Sequence, residues 1–103
     1  MKICWSPTAI GDLESIRAYI ARDNPAAARK IAQRIKESIH RLGNFPQSAR
    51  AGRVQGTREL VIPGTSYIAA YSIHDDEVGV IAILHGKQCW PESFSKDLKD
   101  REP

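Results

Sequence analysis

The chain has 103 residues, a formal net charge of +3 and a pI near 9.1. This length allows one hydrophobic core and leaves no room for a second domain of ordinary size. With 42% hydrophobic and 26% charged residues, the composition is that of a globular protein and argues against general disorder. No apolar run is long enough to cross a membrane.

The two cysteines, Cys4 and Cys89, are too few for a disulfide framework. No signal peptide precedes Cys4, so we expect reduced thiols in a cytoplasmic protein. The cysteines and histidines lack the close spacing of metal ligands, and no phosphate-binding or dinucleotide-binding glycine motif is present. We therefore expect neither a metal nor another cofactor.

The first helix is predicted by its start signal and its apolar spacing. Residues 2–5 have the β-branched and aromatic character of a short strand. Ser6 then offers a capping oxygen, and Pro7 suits the first helical position. Apolar residues follow at helical spacing, namely Ile10, Leu13, Ile16 and Ile20, with Tyr19 alongside.

The second helix has the same start signal, an Asn24 cap followed by Pro25. Its apolar stripe consists of Ala28, Ile31, Ile35, Ile39 and Leu42. Gly43 is a candidate for a left-handed residue that ends the helix, and Pro46 prevents the helix from resuming. The short link between the two helices predicts an antiparallel helical hairpin.

The second half of the chain changes to strand periodicity. A polar connector at residues 47–57 leads to three predicted strands, at residues 59–62, 67–73 and 78–85, separated by short turns. The predicted fold is therefore α+β: an N-terminal strand, an antiparallel helical hairpin, and a three-stranded antiparallel meander with the helices on one face of the sheet. We expect a single domain at residues 1–94 and a frayed, charged tail at residues 95–103.

The last predicted strand is apolar on both faces. Simple alternation puts Val80, Ala82 and Leu84 on one face, and Ile81 and Ile83 on the other. A single helical hairpin covers only one face of the sheet. The other face needs cover from a loop, the tail or another chain, which indicates a protein partner.

In the order of its elements and in local motifs, the chain resembles the ParE branch of the ParE/RelE toxins over residues 3–90. The matching residues are Trp5-Ser6-Pro7, Asp12-Leu13, Ile16, Tyr19-Ile20, Asn24-Pro25, residues 58–62, Tyr67, Tyr71 and residues 84–91. The resemblance implies a toxin of a type II toxin–antitoxin pair, with a cognate antitoxin as its partner. It also implies one of two targets, because ParE-like members poison DNA gyrase and RelE-like members cut messenger RNA on the ribosome.

Two departures from the RNA-cutting pattern favour gyrase as the target. RNA cleavage needs proton transfer and cations that stabilise the phosphorane. In RNA-cutting members an Arg commonly follows the tyrosine that Tyr67 resembles, and this chain has Ile68 there. A second Arg commonly follows the glycine and lysine matched by Gly86 and Lys87, where this chain has Gln88.

No catalytic residue is assured by the sequence, although three are candidates. The imidazole of His85 has the titration range of a general base, but we favour a half-buried histidine that anchors a turn. Arg58 fits two interpretations equally: a contact to the target or to an acidic antitoxin group, or a surface arginine paired with Glu59 or a helix carboxylate. In an RNA-cutting protein, His85 or Lys87 would transfer protons while Arg53 and Arg58 bind phosphate.

Contact residues for the target or the antitoxin are expected among basic, aromatic and apolar residues of the second half. The candidates are Arg50, Arg53, Arg58, Tyr67, Tyr71, Ile81, Ile83 and Trp90. We interpret the two tyrosines as packing residues, in the core or toward a partner, in preference to catalytic phenols.

Three hypotheses remain open at this point. The leading one is a toxin that binds gyrase without covalent chemistry of its own, and the second is a ribosome-dependent mRNA endonuclease. The third is a non-toxic binding module that keeps the fold and the antitoxin-binding surface. All three predict that the apolar sheet face and the helical hairpin receive an extended or helical antitoxin segment with acidic residues.

Overall fold

The computed structural model describes residues 1–86; the interpretations of Lys87, Gln88, Cys89, Trp90 and the tail at 95–103 lie outside this range. The predicted α+β architecture is present, with two helices against one face of a sheet. The elements in chain order are strand β1 (Lys2–Trp5), helices α1 (Pro7–Ala21) and α2 (Pro25–His40), a 3-10 turn (Arg41–Gly43), and strands β2 (Arg50–Ala51), β3 (Arg58–Val61), β4 (Tyr67–His74) and β5 (Glu77–His85).

Both helix starts form as the capping signals predicted. The Ala9 N–H donates to the Ser6 hydroxyl at 3.0 Å, and the Ala27 N–H donates to the Asn24 side-chain oxygen at 3.0 Å. Each cap satisfies a backbone donor that has no partner inside its helix.

The predicted end of α2 is wrong in its geometry. Gly43 is not among the residues with positive φ; instead α2 ends at His40 and continues into the 3-10 turn. The chain terminus packs against this turn, because the Met1 ammonium donates to the Gly43 carbonyl at 2.7 Å. A Cβ on Gly43 would lie 3.1 Å from the Met1 carbonyl oxygen, so close packing, and not a left-handed backbone, explains this glycine.

The sheet is mixed and has five strands, in the order β1-β5-β4-β3-β2, which corrects the predicted three-stranded meander. Strands β3, β4 and β5 pair antiparallel as expected. However, β1 pairs parallel with β5, and residues 50–51 of the connector pair antiparallel with β3. The sequence of β1 carries no signal for its partner, because the pairing depends on where the helical hairpin returns the chain.

A β-bulge in β5 changes which side chains share a face. Tyr71 pairs with Val80 and Ala70 pairs with Ala82, so Ile81 is an extra residue without a partner on β4. Val80 and Ile83 consequently both belong to the helix-side core. The simple alternation expected for this strand is therefore wrong across Ile81.

Ser6, which caps α1, and Asp12 within α1 hold the bulge where β1 has ended. The Ser6 N–H donates to the Val80 carbonyl at 2.9 Å, and its hydroxyl donates to the Ile81 carbonyl at 2.8 Å. The carboxylate of Asp12 accepts the Ile83 N–H at 3.0 Å. Ser6 and Asp12 thus supply the hydrogen bonds that a longer β1 would otherwise make.

The helix-side core lies between the sheet and α2, with α1 less deeply embedded. Its members are Ala9, Leu13, Ala32, Ile35, Ile39, Leu42, Ile62, Ala69, Tyr71, Val78, Val80 and Ile83. The predicted stripe of α1 is only partly buried: Leu13 is in the core, whereas Ile10 is 53% and Tyr19 is 69% exposed. None of the helices in the described part of the chain has the length and apolar character needed to cross a membrane.

Candidate functional site

A buried carboxylate gathers two of the candidate arginines. Glu59 is only 3% exposed, and its oxygens lie 3.4 Å from Arg50 Nη2 and 3.6 Å from Arg53 Nε. The backbone N–H of Arg53 also donates to this carboxylate at 2.8 Å. These contacts tie the connector to β3, and they use one negative charge to offset two positive charges.

Arg58 belongs to a different surface. Since strand side chains alternate, it lies on the opposite side of β3 from Glu59, in register with Tyr71. Its Nη1 group donates to the carbonyls of Ala49 at 3.0 Å and Gln47 at 3.4 Å. Arg58 therefore fastens the connector to the helix-side face, and it does not pair with Glu59.

Tyr71 also anchors the start of the connector to the helix-side face. Its side chain is fully buried, and its hydroxyl donates to the Pro46 carbonyl at 2.7 Å. Burial raises the pKa of this phenol above its ordinary value of 10.0, and a backbone hydrogen bond with Ala49 and the positive charge of Arg58 offset part of that effect. The phenol is therefore neutral near pH 7 and serves as a packing and anchoring group.

Tyr67 and His85 meet at the other end of the sheet. They are register partners on β4 and β5, and their rings stand edge to face with centroids 5.8 Å apart and planes at 84°. Tyr67 is half-buried and His85 is exposed. The pair puts an imidazole and a phenol side by side at a strand end, where an external group has access to the imidazole.

The candidate residues thus form three groups, and one contact runs from the first group toward the third: Arg53 Nη2 donates to the carbonyl of Gly86, next to His85, at 3.4 Å. Arg50 joins Arg53, Arg58 joins Tyr71, and Tyr67 joins His85. Of the two isoleucines expected on an exposed face, Ile83 is buried in the core and Ile81 is half-buried at the bulge. Lys87 and Trp90 lie outside the described residues.

An apolar groove beside the edge strand was not foreseen from the sequence. It measures about 420 Å³ and is lined by Ile3, Trp5, Ile10, Leu13 and Ile39, with Glu14, Lys36 and His40. The groove exists because the helical hairpin does not cover the β1 edge of the sheet. Two signals were present: Ile3 and Trp5 alternate on one face of β1, and Ile10 lies one turn from Leu13.

A metal site finds no support in the described part of the chain. Among residues 1–86, no group of three or more His, Cys, Asp or Glu side chains is placed to hold a metal ion. The half-buried thiol of Cys4 instead lies 3.7 Å from a carboxylate oxygen of Glu77. Lys2 lies 3.8 Å from the same carboxylate.

Comparison with known proteins places these features in a family. Residues 3–90 match the model of a family described as the ParE toxin of the type II toxin–antitoxin system parDE. A proposed toxin of Sinorhizobium fredii, Y4kP, is 38% identical over 91 residues, covering 88% of this chain and 94% of that protein. The toxin RelE2 of Caulobacter vibrioides is 30% identical over 84 residues, covering 82% of this chain and 93% of that protein.

Two solved structures share the fold. A chain of the chromosomal ParDE system from P. aeruginosa superposes with a TM-score of 0.74 and 25% identity, covering 82% of this chain and 95% of that one. The isolated E. coli RelE toxin superposes with a TM-score of 0.58 and 13% identity, covering 96% of both chains. At that identity the second match concerns the fold alone.

Proposed function

Since the chain belongs to the ParE toxin family of type II toxin–antitoxin systems, we propose that it arrests growth by poisoning DNA gyrase in the cytoplasm. A cognate antitoxin neutralises it. In this proposal the protein binds gyrase and stabilises the cleaved DNA complex, and it makes and breaks no covalent bond itself.

The observation that carries this proposal is the chemistry around Ile68. Its side chain is 5% exposed, and Ala70, Ala82 and Leu84 nearby on β4 and β5 are buried as well. RNA-cutting relatives resemble this chain but commonly carry an arginine where Ile68 stands. A buried aliphatic side chain cannot stabilise a phosphorane.

The described arginines on the second half of the chain are also committed elsewhere. Arg50 and Arg53 contact the Glu59 carboxylate, and Arg58 binds backbone carbonyls on the other face. Phosphoryl chemistry needs several cations that converge on one phosphate. Their separation supports a toxin that acts by binding.

The pair of Tyr67 and His85 favours the second candidate, a ribosome-dependent mRNA endonuclease. A general base must reach the 2′-hydroxyl of the RNA, and an exposed imidazole beside a phenol is suited to proton transfer. This activity would also draw on Lys87. The similarity to a relative named RelE2 is a further reason to test for this activity.

The decisive experiment is a gyrase assay with purified protein, supercoiled plasmid and ATP. We expect linear DNA to accumulate after the cleavage complex is trapped with detergent and protease, and we expect none when gyrase is omitted. Absence of linear DNA, with protein shown to be folded and toxic in cells, would contradict the gyrase proposal.

A double variant separates the two candidates. His85→Ala with Lys87→Ala removes the side chains that an endonuclease would use for proton transfer, so under the gyrase proposal it should leave growth arrest intact. Loss of toxicity together with codon-dependent mRNA cleavage by the parent protein on translating ribosomes would favour the endonuclease. A thermal unfolding curve of the double variant shows whether it is folded.

The groove beside β1 is the surface we assign to the antitoxin. Its floor of Ile3, Trp5 and Leu13 is apolar, its rim carries Glu14 and Lys36, and Ile10 offers an exposed aliphatic side chain. Such a groove accepts the apolar side of a helical or extended segment. On the sheet face opposite the helices, the described side chains of Ile68, Ala70, Ala82 and Leu84 are buried.

Two lysine variants of α1 test whether the antitoxin binds the groove. Ile10→Lys should weaken neutralisation by the antitoxin encoded beside the toxin, because the new charge loses its water on docking. Thr8→Lys, at an exposed position of the same helix, is the matched control and should be neutralised normally. Equal neutralisation of both variants in a co-expression growth assay would contradict the assignment.

A further inference from the structure

A second, polar pocket lies at the open end of the helix-side face, beyond the cover of the helices. It measures about 430 Å³ and is lined by Gln47, Ala51, Gly56, Thr57, Arg58 and Ile73. One cation is among these residues and no acid is. The pocket therefore has a net positive charge beside the neutral side chains of Gln47 and Thr57.

The guanidinium of Arg58 is held in place and only partly used. Its Nη1 group donates to the Ala49 and Gln47 carbonyls, so the backbone of the connector fixes its orientation. No carboxylate of residues 1–86 lies within ion-pair distance of it. The Nε–Nη2 edge remains, with two parallel N–H donors whose spacing matches the two oxygens of a carboxylate.

We propose that this pocket is a carboxylate-binding site that receives one Asp or Glu side chain of the antitoxin. The naming of the antitoxin rests on the function proposed above, whereas the carboxylate site rests only on the geometry around Arg58. The half-buried position of Arg58 strengthens the attraction relative to a fully hydrated pair.

A nucleic acid fits the pocket less well. A phosphate backbone is bound by several cations directed at successive phosphates. Here Arg58 is the one cation among the described residues that line the pocket, because Arg50 and Arg53 contact Glu59 on the other side of β3. The aliphatic side chain of Ile73 and the Ala51 methyl group suit the methylene of an acidic residue.

The test is an NMR titration of the full chain. It needs neither gyrase nor antitoxin, so its result is independent of the proposed toxic function. The probe is aspartate blocked at both ends as N-acetyl N-methylamide, added at constant ionic strength while the Arg58 Nε–H resonance is followed. We expect a saturable shift of this resonance and no saturable shift of the exposed Arg17 resonance. The blocked asparagine is the uncharged control and should produce neither.

Two variants make the result specific. Arg58→Lys keeps the charge but loses the paired donors and the Nε–H resonance, so its binding is followed by the backbone amides of residues 57 and 58, in this variant and in the parent; we expect about tenfold weaker binding. Gln47→Glu adds a carboxylate at the pocket wall, which should pair with Arg58 and compete with the probe. Gln47 is exposed, so this variant keeps the test decisive if Arg58→Lys fails to fold.

Each remaining outcome overturns the proposal. A non-saturable shift shared by exposed arginines would show nonspecific ion binding. Tighter binding of inorganic phosphate than of the blocked aspartate would make the pocket a phosphate site. Unchanged affinity in Gln47→Glu would place the probe elsewhere.

Discussion

The two faces of the sheet solve different physical problems with the same strands. On the helix side, Tyr71, Val80 and Ile83 are large and fully covered. On the opposite face, Ala70 and Ala82 are small and are buried near a carboxylate, Glu59. The helix side supplies most of the packing energy, because burial of large apolar side chains dominates stability.

The face without helices is the one whose chemistry bears on the choice between the two candidate targets. Its buried side chains include Ile68 and Leu84 beside the small Ala70 and Ala82. Ile68 and Glu59 lie on it, and both differ from what a phosphate-binding surface requires.

The largest expected effect comes from removing the main side chain of the helix-side face. Tyr71→Ala should lower the free energy of unfolding by about 3–5 kcal/mol, since it leaves a cavity under α2 and frees the connector. Urea unfolding followed by tryptophan fluorescence measures it. Tyr67→Ala, at a half-buried position of the same strand, is the control and should cost clearly less; equal losses would contradict the assigned packing.

The opposite face should give a smaller loss with a different signature. Glu59→Ala removes the acceptor for the Arg53 N–H, and we expect a loss of about 1–3 kcal/mol. Glu59→Gln keeps an acceptor oxygen and should cost less. Both arginine side chains are partly exposed and remain hydrated, so the loss should fall as salt is added. A salt-independent loss in urea unfolding would mean that packing, and not charge, holds the connector.

The sequence predicted most of this architecture, and its failures have physical causes. Caps at Ser6 and Asn24 are local hydrogen bonds, so local residues predict them. The parallel pairing of β1 with β5 and the bulge at Ile81 depend on contacts between distant segments, which alternation along one strand does not contain. One extra residue at Ile81 was enough to invert the expected faces of β5.

The sequence identified candidate residues of the site, but it did not predict which of them lie together. Arg50, Arg53 and Arg58 were singled out by charge, but a strand separates them by alternation onto two faces. The groove at β1 was missed because Ile10 was counted in the helical stripe, whereas the helix is rotated so that Leu13 faces the core. Helix rotation is set by tertiary packing and not by spacing alone.

A narrower change to the helix-side face isolates one hydrogen bond. Tyr71→Phe keeps the ring and removes the hydroxyl that donates to the Pro46 carbonyl. We expect a loss of about 1 kcal/mol in the free energy of unfolding. Proteolysis within residues 47–57 should also become faster, because the connector loses one of the side chains that anchor it. If cleavage is unchanged, the Arg58 bonds to Ala49 and Gln47 suffice to hold the connector.

The smallest effect concerns the hydrogen bond that holds the bulge between the two faces. Burial raises the pKa of Asp12 above 3.8, and the Ile83 N–H bond offsets part of that rise. The folded state therefore binds this proton more tightly than the unfolded chain does. The resulting stability is present below about pH 3.8 and is lost as the pH rises through the folded pKa.

Asp12→Asn removes this titration while keeping an oxygen for the Ile83 N–H. As the pH rises above 4, the parent should lose stability, and the free energy of unfolding of Asp12→Asn should therefore increase relative to that of the parent. Urea unfolding between pH 3.5 and pH 7 measures the difference, and Glu14→Gln on the exposed side of α1 serves as a control. The control should change in the opposite direction. The Arg17 hydrogen bond and charge lower the pKa of Glu14, so the free energy of unfolding of Glu14→Gln should decrease relative to that of the parent over the same pH range. Parallel curves for parent and Asp12→Asn would contradict the prediction, because they would mean that folding leaves the pKa of Asp12 unchanged.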